Sequence, residues 1–531
     1  RAARCFTVAV PTNPKAPVTS TASDMQFPPE PTRTCSSQAW QVAQTDREFG
    51  TSWNADHVSP RDRPNILLLM TDEERERLWF PDGVRFPTRD RLAAQGMRFT
   101  NHQVHTCPCT PSRATIFTGQ HAAISGMFDN VNFSWQRPLD PTVPTMGHLL
   151  AAAGYRCAYV GKWHLGGESR RDGIRAYGFD DWNAPDAHGA PYLGHFIDGR
   201  IADRAAQWID RHANDDRPWL LVCSFVNPHD IMLYPRFRKL RVREHGVDLP
   251  PNFSDDLTTK PVTQRYWKAT CDVTAGVVRN ERAWRRLINA YVDLHAEVDR
   301  HLGTVLDSLV ASGCQQNTLV VSTSDHGDMA GAHGLRQKAA NLYRENIQVP
   351  LTMVWPERIA AGTSTERLSG AIDLVPTLLS AAGVDPSPLP GHDLSPLWSN
   401  PNQAVRDSVL FSSDAFSSMG PAGPHRGFLR GIVTERHKYG RYFRPGEQGL
   451  GRRAADLELY DRLRDPAEMS NLAHPGVGGV GAESVIDELD RQLDDLIAAE
   501  IGADDVQPVG PGSPPALITR MWSRRLGAVA G

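Results

Sequence analysis

Cysteine is scarce here: the 531 residues hold eight, at positions 5, 35, 107, 109, 157, 223, 271 and 314. That number at this length, with several of them in apparent strands, excludes a disulfide framework. Cys107 and Cys109 are too close in sequence for an unstrained bridge and lack the partners of a zinc site. No run approaches the roughly 20 consecutive apolar residues of a membrane span, so no span is expected. Neither sign of charge dominates. A formal net charge of −4 and a pI of about 6.6 give no electrostatic footprint for nucleic acid. Internal repeats are absent too. The opening RAARCFTVAVPTNPKAP has basic residues, but proline soon interrupts its short apolar run, which does not support a secretory signal. A cytoplasmic location is the expectation.

What is present suffices for a large domain and a smaller one, with 40% hydrophobic residues to build a core. Residues 1–62, rich in Pro, Thr, Ser and Gln without periodicity, read as an irregular extension. From Asn65 apolar strands alternate with helices: NILLLMT, YRCAYVG, WLLVCSF and TLVVSTS. Before the last, Leu287, Tyr291, Leu294, Val298, Leu302, Val305 and Leu309 recur at helical spacing, and Gly313 follows as a stop. The pattern is α/β with a largely parallel sheet. Residues 231–286 show no clear pattern. Their Tyr234, Arg236, Arg238, Tyr266 and Trp267 suit an insertion that shapes a pocket or a plain surface excursion.

Each strand runs at once into polar residues: Asp72 and Glu73, Lys162 and His164, Asn227 to His229, Asp325 and His326. In doubly wound sheets ligands bind beyond the carboxyl ends of the strands, so these groups should converge on one crevice. Residues 109–119, CTPSRATIFTG, set a small nucleophile at a helix N-terminus with Arg113 one turn on. The first-turn N–H groups and the helix dipole make that an anion site.

CTPSR resembles the Cys-x-Pro-Ser-Arg signature of type I sulfatases, and GYRCAYVGKWHLG (154–166) resembles their second signature, with Cys157 where a hydroxyl is usual. The likeness covers about residues 63–475. It implies an alkaline phosphatase-like fold: a large, mostly parallel sheet flanked by helices with a smaller C-terminal α+β subdomain. The expected division is 1–62 extension, 63–400 catalytic domain, 401–531 C-terminal subdomain and tail.

The resemblance also implies a site. Cys109 would be oxidised by a formylglycine-forming enzyme, and the hydrated aldehyde would attack sulfur with one oxygen on a divalent cation. Asp72, Glu73, Asp325 and His326 would hold that cation with residue 109. Such ligands suit Ca²⁺ first, with Mg²⁺ or Mn²⁺ as alternatives. Glu73 stands where relatives have Asp or Gln, and its longer side chain could turn to Lys162 or to solvent. Arg113 and Lys162 would hold the formylglycine and sulfate oxygens, and His164 would be the base that drives sulfate release. His229 would protonate the leaving group and Lys338 bind sulfate. Asn130, 21 positions after Cys109, matches a sulfate-contacting asparagine of the choline sulfatase and phosphonate monoester hydrolase branch. His333 and Arg336 are expected behind these groups, and His188 and His195 could face the pocket.

The implied reaction is hydrolysis of a small-molecule sulfate monoester to an alcohol or phenol and inorganic sulfate. Phosphonate monoester or phosphodiester hydrolysis is the enzymatic alternative, disfavoured because its usual site lacks the GKWH pattern kept here. A noncatalytic anion-binding relative would result if Cys109 stayed a thiol. Oligomeric state and the particular ester are left open.

Overall fold

The computed structural model describes residues 63–504 apart from 78–79, 168–172, 183–192, 236–241 and 420–425. The readings of residues 1–62, His188, Arg236 and Arg238 lie outside the described residues. The apolar run after Pro64 forms β1 (Asn65–Asp72), which lies inside an eight-stranded sheet. In chain order the other members are β2 (Met97–Phe99), β4 (Arg156–Gly161), β5 (Asp181–Trp182), β6 (Trp219–Pro228), β7 (Thr318–Ser324), β8 (Leu351–Val354) and β9 (Thr363–Thr365). β3 (His102–Gln103) and β10 (Ser369–Gly370) pair apart from it. The spatial order is β5-β4-β6-β1-β7-β8-β2-β9, and β8 alone among these strands runs against the rest.

Alternate side chains of β1 enter opposite cores, as a strand with both faces covered requires. Ile66, Leu68 and Met70 pack with Ile116 and Phe117 of α1 (Cys109–Thr118). Leu67 and Leu69 pack with Ile201, Ala205 and Ile209 of α2 (Leu193–His212). The long periodic segment adds Val298, Leu302, Val305 and Leu309 to that second core. It forms a helix over Glu281–Ala311, capped by Asn280, whose side chain accepts the Ala283 N–H at 3.0 Å. Gly313 follows at φ +76°, a left-handed stop.

Residues 231–286 are more regular than their sequence suggests, because α3 (Val262–Ala275) precedes the long helix α4 (Glu281–Ala311). The buried positions of α3 include Thr263, Gln264, Thr270 and Cys271, polar or small residues that leave little apolar period to read. The helix packs on the loop before Lys338: Trp267 Nε1 and the Cys271 thiol both reach the Arg336 carbonyl. Arg336 in turn donates to the carbonyls of Tyr234 and Cys271.

After α5 (Leu374–Ala381) comes an antiparallel sheet of β11 (Ser408–Ser413), β12 (Phe428–Thr434), β13 (His437–Phe443) and β14 (Asp456–Asp461). Val409, Phe411, Leu429 and Val433 join the core that contains α1. Leu410, Ile432, Tyr439 and Leu459 pack under α6 (Ala482–Glu500) through Ile486, Leu489, Leu493 and Ile497. The smaller subdomain is thus welded to the large sheet by apolar contact. No helix among the described residues is long and apolar enough to cross a membrane.

Candidate active site

The carboxyl ends of β1, β4, β6 and β7 meet the N-terminus of α1. Asp72 pairs with Pro228 after a register shift in β1, which sets His229 beside it. The Lys162 N–H donates to the Ser224 carbonyl at 2.9 Å, carrying the β4–β6 alignment past the strand end. Gly161 is required there: at φ +109°, an added Cβ would lie 1.9 Å from the Ser224 carbonyl oxygen.

Around Cys109 stand Asp72, Asp325 and His326, with one ligand atom from each within 4.8 Å of the others and all four residues buried. His326 Nε2 is 3.1 Å from the Cys109 sulfur and Asp72 Oδ1 is 3.8 Å from it. His326 Nδ1 donates to the Gly327 carbonyl at 3.0 Å, so Nε2 keeps its lone pair and faces the cluster, the usual state of an imidazole ligand. Glu73 Oε1, buried beside them, has no hydrogen-bond partner. Two carboxylates and an oriented imidazole fit a divalent cation, with residue 109 completing the set, while Glu73 falls in an adjoining group with Asp72 and His229.

Arg113 is fully buried beneath the carboxylates. Its Nη2 lies 2.7 Å from Asp72, its Nε 2.9 Å from Asp325, and its Nη1 donates to the Lys162 carbonyl and the Ser224 hydroxyl. These contacts place Arg113 on the acidic pair. Lys162 Nζ reaches the same Asp72 oxygen at 2.7 Å. Burial pushes the Asp72 carboxyl up, but Lys162, His229, Arg113 and His326 together hold it well below the usual range. Asp325 goes the other way, raised by burial and by Asp72. The Cys109 thiol is raised by burial and by Asp72, so as an unmodified thiol it is a poor nucleophile.

Glu73 corrects one reading. It turns neither to Lys162 nor to solvent but to Lys338, with Nζ 2.7 Å away. Lys162 already sits on Asp72, and the left-handed backbone at Glu73 (φ +65°) turns the chain off the strand line. Burial raises the Glu73 carboxyl well above its usual range despite Lys338. His229 Nε2 lies 3.6 Å from Glu73 and 3.8 Å from Asp72. Burial, then Lys338 and Lys162, hold its imidazole well below the ordinary histidine range.

Asn130 Oδ1 accepts the Thr110 N–H at 3.0 Å, which fixes it on the first turn of α1. His164 contacts Asn132 through Nε2, a partner that no motif in the sequence marks. His195 is largely exposed and paired with Glu297 at 3.0 Å, so it does not join these groups. His333 stacks on Tyr343 and bonds Asp255 at 2.7 Å. It belongs to a separate buried cluster with Glu345 and Glu468, where the Asn252 amide donates to His333 Nε2 and to Glu345. Arg336 donates to the carbonyls of Tyr234, Cys271 and Gly276 and so holds the insertion. Cys157 packs in the core and contacts the Gly147 carbonyl at 3.5 Å, a packing variant of its signature.

A buried cation-ready cluster at a helix N-terminus, flanked by Lys162, Lys338 and His229 beyond a mostly parallel sheet, defines a hydrolase of anionic esters. The family model described as "Sulfatase" matches residues 64–384, and one described as "N-sulphoglucosamine sulphohydrolase, C-terminal" matches residues 331–499. The chain belongs to the sulfatase family and is a sulfuric ester hydrolase. It is 28% identical to an ulvan-active sulfatase of Formosa agariphila, over 83% of this chain and 82% of that one. It is also 28% identical to a choline-sulfatase of Rhizobium meliloti, over 79% and 84%. Among solved structures, a phosphonate monoester hydrolase from Silicibacter pomeroyi shares the fold at a TM-score of 0.65 and 21% identity, covering 83% of this chain and 96% of that one. The alkaline phosphatase-like fold, with an antiparallel C-terminal sheet, agrees with the sequence reading. The family generally uses a divalent cation and formylglycine.

Proposed function

We propose that this chain cleaves a small-molecule sulfate monoester with Cys109 oxidised to formylglycine by a separate modifying enzyme, and with Ca²⁺ as the cation. Asp72, Glu73, Asp325, His326 and residue 109 would hold the ion. It would supply Lewis-acid stabilisation of negative charge, and the modification an oxygen nucleophile. The observation that carries the reading is the Asp72–Cys109–Asp325–His326 cluster set at the N-terminus of α1.

The chain's own residues do the rest. Arg113 bridges both aspartates and offsets part of the cost of burying their charge. Lys162, Lys338 and the Asn130 amide receive the sulfate oxygens, and helix α1 presents its positive end to them. Burial, and after it Lys338 and Lys162, disfavour the charged form of His229. A sulfate ester between those lysines offsets their charge and favours a proton on His229 Nε2, the nitrogen that faces the site. That proton goes to the leaving alkoxide. His164 takes the proton whose removal releases sulfate.

A screen of aryl, choline, sugar and alkyl sulfates beside phosphonate monoesters and phosphodiesters tests this. Inorganic sulfate release from at least one ester, faster than any phosphonate cleavage, is expected. Phosphonate turnover with every sulfate ester left intact overturns it.

A further inference from the structure

His164 is held in a conformation that an L-residue adopts reluctantly, with φ +59°; such a backbone persists only where its surroundings fix it. A chain of hydrogen bonds fixes it here. The Thr110 hydroxyl, next to Cys109, donates to the His164 carbonyl at 2.7 Å. The same hydroxyl accepts the Val131 N–H at 3.3 Å, while the Thr110 N–H goes to Asn130 Oδ1. Asn132 then returns from the same loop and places its Oδ1 on His164 Nε2. The loop is itself anchored: Asp129 accepts the Asn130 N–H, the Trp135 indole N–H and the Ser417 hydroxyl.

We infer that Asn132 is the positioning residue for His164, and that it makes Nδ1 the basic nitrogen. An amide oxygen can only accept, so Nε2 must carry the proton and donate it to Asn132. A neutral imidazole has one N–H, so the lone pair lies on Nδ1, which is buried. When Nδ1 takes a proton the ring becomes an imidazolium, and Asn132 Oδ1 stabilises the Nε2–H of that cation. The loop thus ties the base, through Thr110, to the residue beside the nucleophile. This rests on the sulfatase reading for what His164 does, but not for which nitrogen it uses.

The experiment is nitrogen-detected NMR of histidine-labelled protein, with His164→Gln identifying the resonance, alongside kinetics of Asn132→Leu and Asn132→Asp. In wild type His164 should be protonated at Nε2, and Asn132→Leu should lose that preference. Its kcat should fall roughly tenfold to a hundredfold, the usual loss when an orienting partner is removed, with KM little changed. Asn132→Asp accepts the same bond and should keep the signature and most of the rate. Asn132 is exposed, so unchanged circular dichroism is expected in both variants. Nδ1 protonation in the wild type, or an Asn132→Leu variant with the wild-type signature, overturns the assignment. If the wild type cleaves no sulfate ester, the functional reading falls while the tautomer measurement still decides this one.

Discussion

Arg113→Met is the sharpest perturbation of the site's electrostatics. Arg113 lies 2.7 Å from Asp72 and 2.9 Å from Asp325, and all three side chains are inaccessible to solvent. Methionine fills much of the same volume but leaves two buried carboxylates facing each other, with Lys162 the cation remaining in contact with Asp72. Breaking a buried pair from one side costs about 3–5 kcal/mol. Unfolding entropy of about 2.1 cal/mol/K per residue, over the roughly 410 described residues, makes 1 kcal/mol worth about 1 °C, so melting should fall by about 3–5 °C. The loss should be larger with a chelator than with excess Ca²⁺, because a bound cation neutralises the same carboxylates. Arg113→Lys should fall between, since an ammonium cannot span both acids. Thermal unfolding of the three proteins with and without Ca²⁺ reads this out. Melting temperatures within about 1 °C of one another in both conditions would refute the claim that Arg113 offsets the acidic pair.

Three further outcomes are expected. Chelation should remove activity and lower thermal stability, because Asp72, Glu73 and Asp325 lose their counter-charge; an unchanged rate and melting temperature in metal-free protein contradicts the cation site. His229→Ala should slow alkyl sulfates far more than activated aryl sulfates, whereas His164→Ala should give a burst of alcohol and then stall whatever the leaving group; equal leaving-group sensitivity with no burst reverses these roles. The third concerns Asp198, which accepts the Val226 and Asn227 N–H groups just before His229 and is held up to about 8 by burial. A folded-state value above the unfolded one, near 4, means that stability is lost as pH rises from about 4 to about 8. Asp198→Asn should flatten that part of the denaturation–pH curve, and an unchanged slope would sink the assignment.

The sequence marks the site where chain logic and chemistry coincide. Asp72, Lys162, His164, His229, Asp325 and His326 each follow an apolar run directly, and a mostly parallel sheet gathers such ends on one edge. Partnerships are less legible. Which cation Glu73 meets depends on its left-handed backbone and on Lys162 being engaged by Asp72, neither of which is a local property. Helix α3 escaped notice because its buried face is polar and small. Asn132 escaped because an exposed asparagine inside the Asn130–Phe133 turn looks like any loop residue until the fold brings His164 to it.

The central claim is that residue 109 is the modified nucleophile of a sulfatase, and one measurement addresses it directly. Preparations made with increasing amounts of a formylglycine-forming enzyme can be assayed for sulfate release and, from the same tubes, for the mass of the peptide spanning Cys109. The rate per mole should rise in proportion to the fraction carrying an aldehyde in place of the thiol, and Cys109→Ala should release nothing. Equal rates in fully unmodified protein, or in Cys109→Ala, would contradict the account.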